Sequence, residues 1–278
     1  MTRTRVIAAL ILTPVAVAAI LLLPTPWLVA LAAIVFLSGL WEWFRLADID
    51  DTLARTVLLV VNMALMVAIV WGSRTSSGFN YVLLQIMTVI GVLWWLLAML
   101  WLKHFDFASN HATHARVFKL AAGTLAIVPA WCALGVLHGN DPDGHRWLFV
   151  ALAIVWAADT GAYFAGRHYG KRKLAPRISP NKTVEGVLGG LACGLLVALV
   201  FAPFAGATLA QLPLVCLVAL VAVGFSVVGD LFESLLKRHV GAKDSGDLIP
   251  GHGGVLDRID GVIAALPVFA LGKAWLGF

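Results

Sequence analysis

Charge is what this chain has least of. Asp, Glu, Lys and Arg make up 13% of its residues, against about 25% in a soluble domain. Apolar residues make up 61%, and mean hydropathy is +0.92. A water-soluble fold is excluded, because apolar runs near or beyond ~18 residues recur along the chain. Cysteine is scarce too. Cys132, Cys193 and Cys216 each sit inside an apolar run, with no CxxC pattern. That excludes a disulfide framework and a zinc site, and leaves three small packing residues. Internal repeats and low-complexity tracts are absent. A Walker A loop is absent as well: GRHYGK has three residues between its glycines and Arg172 after its lysine, where the motif needs four and then Ser or Thr.

What is present is a series of apolar runs. Nine candidate helices fall at about 6–23, 27–44, 55–72, 80–102, 117–137, 146–166, 184–204, 209–232 and 259–277. The expected fold is an all-α polytopic integral membrane protein. Residues 1–140 would hold five N-terminal spans; residues 141–278 would form a catalytic region of four spans and two polar loops, 167–183 and 233–258. Arg3 and Arg5 before an apolar run resemble a secretory signal. The run is long for one, contains Pro14 and leads into further spans, so an uncleaved first helix is expected. Positive charge sets the orientation. With the N-terminus in the cytoplasm, 17 of the 20 Lys and Arg fall inside, and Arg74, Arg146 and Lys273 fall outside. The C-terminus is then outside, and both polar loops share the cytoplasmic face of an inner (plasma) membrane. The net charge of +5 and pI of 9.3 fit basic loops beside anionic lipid, not a nucleic-acid surface. Gly190 and Gly194 form a GxxxG spacing that serves close packing within one subunit or a dimer contact.

Polar chemistry gathers in Ser234 to Asp260, SLLKRHVGAKDSGDLIPGHGGVLDRID. This stretch holds four acids and four Lys or Arg in 27 residues, between apolar runs. So dense a block needs water, metal or a charged ligand to meet it. Across its start, Asp230, Glu233 and Lys237 are spaced to share a helix face. Lys237 and Arg238 also suit an ordinary helix C-terminus, but Asp230 lies against an apolar run with no evident partner. Asp257 and Asp260 open the last span. They suit a helix N-terminus, or they present two carboxylates as oxygen ligands for Mg²⁺, which takes one or two carboxylates plus substrate phosphates. The 18-residue connection 239–256 is long enough to return Asp257 beside Asp230. Its glycines, in PGHGG above all, could bring N–H groups to phosphate. His252 would be a proton donor, a phosphate contact or a structural residue. Asp159 falls within the sixth span, where an acid costs roughly 2.5–3.5 kcal/mol and must face a polar interior. In ISPNKTVEG, Ser179, Asn181 and Thr183 could cap a helix, while Lys182 and free N–H groups meet phosphate.

These residues resemble the phosphatidate cytidylyltransferase (CDP-diglyceride synthase) family. The elements are Ser234, Lys237, Arg238, Lys243, Asp244, Pro250 to Gly254, Asp257, Arg258 and Asp260. The upstream strings ADTGAYFAGRHYGK and ISPNKTVEG are also similar to family segments, so the likeness covers about 155–261. The resemblance implies an integral membrane enzyme that joins CTP and phosphatidic acid into CDP-diacylglycerol and pyrophosphate. It implies a two-cation centre, Mg²⁺ with a monovalent partner such as K⁺, held by Asp230 and Asp257, and a homodimer. Asp230, Asp257, Asp260, Lys237 and Asp159 are the expected catalytic residues. Ser179, Asn181, Lys182, Thr183, Ser234, Arg238, Lys243, Asp244, His252 and Arg258 are the expected substrate-binding ones.

Two rivals differ in class. A CTP-dependent lipid kinase would release CDP instead of pyrophosphate. An ion-coupled transporter would need midplane sites and an inverted repeat, and no repeat is present. A CDP-alcohol phosphotransferase fails because Asp260-Gly261 is followed by VIAAL.

Overall fold

The computed structural model describes residues 13–76, 78–248 and 253–278. The start of the expected first span and the segment containing His252 lie outside these residues. The described part of the first helix, α1, is Thr13–Leu22. Among the described residues, eight helices long and apolar enough to cross a membrane follow: α2 (Thr25–Leu46), α3 (Thr52–Gly72), α4 (Val82–Lys103), α5 (Thr113–Gly139), α6 (Gly144–Tyr169), α7 (Val184–Phe201), α8 (Leu212–His239) and α9 (Leu256–Leu276). The helical reading holds, and its boundaries move. The eighth helix runs seven residues past the expected 232 and carries Glu233, Lys237 and Arg238 as helix. The polar loop after α6 is not irregular. Its strands β3 (Lys173–Ala175) and β4 (Ser179–Thr183) pair antiparallel, with Lys173 opposite Thr183 and Ala175 opposite Ser179. A smaller two-stranded ribbon, Arg74–Thr75 with Gly78–Phe79, links α3 to α4.

Local chemistry starts several helices. The Asp51 side chain accepts from Ala54 N at 2.8 Å and caps α3, and the Thr183 hydroxyl accepts from Gly186 N at 3.1 Å and caps α7. Prolines interrupt two buried helices, Pro129 in α5 and Pro267 in α9. Both face Gly91 of α4, where an added Cβ would lie 2.6 Å from Pro129 Cβ and 3.4 Å from Pro267 Cβ. A glycine is needed there for the three helices to meet.

The core sits around α5, which packs against α2, α4, α6 and α9. By contrast α3 turns Leu53, Val60, Val67 and Trp71 outward, as suits a helix facing lipid. Trp43, Trp94, Trp95 and Trp101 surround Phe232 with ring centroids 5.9, 5.8, 6.0 and 5.2 Å away. Such aromatic contacts contribute about 0.5–1.5 kcal/mol each beyond their area. They fix α8 one residue before Glu233.

Small residues bring α6 and α7 together. A Cβ at Gly161 would meet Cys193 Sγ at 2.5 Å and one at Gly190 would meet Ala158 O at 2.9 Å, while one at Gly194 would meet Val223 Cγ2 of α8 at 2.7 Å. The Gly190–Gly194 spacing therefore serves packing within the subunit. Gly229 does the same for α8, whose backbone closes on Asp260 O of α9. That approach sets Asp230 near Asp260.

Candidate active site

A cavity of about 630 Å³ opens between α6, β4, α7 and α8. Part of its lining is polar. Asp159, Tyr163 and Arg167, spaced four residues apart on α6, share one helix face and line it, as do Ser179, Asn181, Lys182 and Thr183 of β4 and Asp230 of α8. Apolar side chains line it as well, among them Val187, Val223 and Val227. Lys182 forms an ion pair with Asp230. Asp159, Asp230 and Asp260 lie within electrostatic reach of one another and of Lys182. Three acids thus share one lysine, an excess of negative charge that suits a cation. The hairpin presenting Lys182 is held by Glu185, which accepts from Lys171 N at 3.0 Å and Arg172 N at 3.1 Å and pairs with Arg172 Nε at 3.1 Å. Arg238 Nε donates to Ile178 O at 3.1 Å and ties the end of α8 to the hairpin turn.

A second polar cluster lies where α8 meets the start of α9. Lys237 Nζ stands 2.5 Å from Glu233 Oε2 and 2.7 Å from Asp257 Oδ1. Glu233 is 1% exposed, and Lys237 is the counter-ion that it shares with Asp257. Asp257 Oδ2 accepts from Ser245 N at 3.0 Å and Gly254 N at 2.8 Å. Glu42 of α2, 3% exposed, accepts from Ser245 Oγ at 3.0 Å, Val255 N at 3.1 Å and Leu256 N at 2.8 Å. Arg45, one turn on, donates to Ser245 O at 2.5 Å and Asp244 O at 3.3 Å.

The expected residues divide accordingly. Asp159, Ser179, Asn181, Lys182, Thr183 and Asp230 meet at the cavity, although the Thr183 hydroxyl is also the α7 cap. Lys237 and Asp257 meet in the second cluster. Asp260 Oδ1 accepts from Gly261 N at 2.8 Å and stands between the two. Ser234 is half-buried on α8; Lys243, Asp244 and Arg258 are exposed. Asp230 and Asp257 hold different lysines, so the expected pair is not a ready-made clamp. Among the described residues, no three His, Cys, Asp or Glu side chains converge to hold a metal by themselves. A Mg²⁺ ion here would draw on substrate phosphates for the rest of its shell.

Sequence reasoning missed Tyr163, Arg167, Glu42 and Ser245. The first two were detectable, since they repeat at four-residue spacing from Asp159. Arg167 Nη1 donates to Tyr163 Oη at 2.8 Å, so the pair stands together at the cavity. Glu42 had a weaker signal, an acid inside the last turn of an apolar span.

A bundle of membrane-length helices, with acids and bases converging on an amphipathic cavity, defines a membrane-embedded site for a charged substrate with an apolar part. Comparison with known proteins makes this specific. The chain matches the cytidylyltransferase family over residues 3–274 and belongs to it. It is 40% identical to the phosphatidate cytidylyltransferase of Pseudomonas aeruginosa over 97% of this chain and 96% of that protein. It is 37% identical to the phosphatidate cytidylyltransferase of Haemophilus influenzae over 97% of this chain and 98% of that one. With the Bacillus subtilis phosphatidate cytidylyltransferase it shares 47% identity over 47% of this chain and 48% of that one.

Proposed function

We propose that this protein transfers the cytidylyl group of CTP to phosphatidic acid, giving CDP-diacylglycerol and pyrophosphate for phospholipid synthesis. One observation carries the reading on the structural side: a cavity lined both by acids and a lysine and by apolar side chains of membrane helices. A diacyl phosphate needs both kinds of lining. Its tails stay among apolar helices while its phosphate meets Lys182 and Arg167.

In the reaction, a phosphate oxygen of the lipid bonds to the α-phosphorus of CTP as the α–β bridging bond breaks and pyrophosphate leaves. Catalysis of this kind is chiefly alignment and charge neutralisation. Lys182 and Arg167 neutralise phosphate oxygens at the cavity. Arg238, Lys243 and Arg258 add positive charge on the side where CTP arrives. His252 and Ser234 are assigned to the same substrate surface by their place in the motif. Lys237 fixes Asp257 between α8 and the glycine loop.

The donor set fits a divalent cation. Asp230 would hold it, with Asp159 and Asp260 supplying nearby negative charge. Asp257 would join once Lys237 releases it, and the same surplus of acid leaves a place for a monovalent ion such as K⁺. When bound, Mg²⁺ would stabilise the charge developing on the transferring phosphate. The charge bias of the loops supports a site on the cytoplasmic face of the inner membrane, with the N-terminus inside and the C-terminus outside. A homodimer follows from the family likeness alone.

The test is incubation of purified protein with labelled CTP, phosphatidic acid and Mg²⁺. Labelled CDP-diacylglycerol with stoichiometric pyrophosphate is expected, and chelation of the metal should abolish both. Release of CDP with a phosphorylated lipid would mean a kinase instead.

A further inference from the structure

Glu42 and Arg45 have no part in the site as assigned so far. Both come from the last turn of α2, about 200 residues before the loop they touch. Glu42 takes that loop's donors and Arg45 meets its acceptors. A carboxylate at 3% exposure is costly unless its oxygens are filled. Here they are filled by Ser245 Oγ and by the backbone N–H groups of Val255 and Leu256. Those two amides belong to the start of α9, which has no partner of its own for them and whose positive end favours an acid.

The loop is shaped to this carboxyl group. A Cβ at Gly246 would lie 2.8 Å from Glu42 Cγ, and one at Gly254 would lie 2.7 Å from Glu42 Cδ. Both ends of the glycine loop therefore close on one side chain. Asp257 follows Leu256 directly, and its own N–H lies 3.3 Å from Ser245 Oγ, the hydroxyl that Glu42 holds. Asp260 is one turn further along the same helix.

We propose that Glu42, with Arg45 beside it, is a positioning residue for the cation-binding acids. It brackets Ser245–Gly246 and Gly254–Leu256 and so sets where Asp257 and Asp260 stand. The proposal rests on the cytidylyl-transfer reading. It also assigns to the N-terminal part of the chain a direct influence on the site.

The experiment uses full-length Glu42→Gln in lipid nanodiscs. The amide preserves volume but puts an NH₂ group against a donor. Two changes are expected: hydrogen exchange at Val255 and Leu256 quickens about tenfold, and the Mg²⁺ concentration for half-maximal activity rises about tenfold. Thr124→Val, which removes the Thr124 Oγ1 to Asn62 Oδ1 bond of 2.9 Å, serves as a control. It should lower stability without moving either readout. Glu42→Gln with wild-type exchange at those amides, or with a wild-type Mg²⁺ midpoint, overturns the proposal. Should that variant fail to fold, Ser245→Ala removes one link of the bracket. At least a twofold shift in both readouts supports the proposal, and no shift overturns it. An inactive wild-type protein would sink the reaction reading and this proposal together; an active one with unshifted variants would sink only the proposal.

Discussion

The Lys182–Asp230 pair and the Lys237 cluster are made of the same residue types and lie near each other, yet they differ in setting. The Lys182 and Asp230 side chains are 24% and 34% exposed and line a cavity. Lys237, Glu233 and Asp257 are 14%, 1% and 11% exposed and packed between α8, α9 and the glycine loop. An ion pair in contact with solvent can exchange partners at little cost. A buried pair does so only when another cation takes the place of the one that leaves, because a lone member is left charged and unsolvated. We therefore propose the first pair for direct exchange with substrate and cation, and the second as the frame that holds them, whose Asp257 turns to a cation only as Lys237 releases it. Lys237 was expected among the catalytic residues; from its surroundings we propose that it acts by fixing Asp257.

The strongest way to break this division is Asp230→Asn. Activity should fall about a thousandfold, while the thermal midpoint of the purified protein stays close to wild type. A large drop in that midpoint with activity retained would reverse the assignment. Next is Lys237→Met, which keeps the apolar stem and removes the charge. Glu233 is then buried without a counter-ion, and stability should fall by about 3–5 kcal/mol, read from denaturant unfolding in detergent. A stable Lys237→Met protein with only a catalytic defect would place this lysine in the exchangeable class.

The smallest effect concerns a third ion cluster, on the turn from α2 to α3. Asp48 accepts from His111 Nδ1 at 2.7 Å and pairs with Arg116 Nη2 at 2.8 Å. The hydrogen bond from His111, then those from Arg116, hold its carboxyl below the ordinary 3.8 despite some burial. With the folded value depressed, the contribution is complete above pH 3.8 and is lost as pH falls through the lower folded value. Asp48 has a φ of 64°, a conformation that Asn also tolerates, so Asp48→Asn removes charge and spares the backbone. The variant should lose at most about 1 kcal/mol near neutral pH and show a shallower fall in stability below pH 3.8. An unchanged acid limb would mean that this cluster contributes nothing.

Much of the bundle was legible in the sequence. A membrane helix must satisfy its backbone internally and match the bilayer thickness, so hydropathy locates it directly. The missed ends share one cause. Charged last turns, such as Glu233 to His239, lower the local hydropathy without ending the helix. The β3–β4 hairpin was read as loop because SPNKT has caps and charge but no apolar alternation. Glu185, from the first turn of α7, holds the segment just before β3 from the far end of the hairpin.

Residue identities in the site were legible for the same kind of reason. Asp159 and Asp230 stand out because an acid among apolar residues is costly, and Asp257 and Asp260 because they repeat at a helix start. Covalent order alone thus determined the class of protein, the polar segments and most of the acids and bases. Partnership was decided only by tertiary structure. Which lysine meets which acid depends on the approach of α8 to α9 at Gly229, and on α2 delivering Glu42 to a loop 200 residues away. Coulomb attraction and hydrogen bonding act over a few ångströms in space, and spacing along the chain carries no record of distances across the bundle.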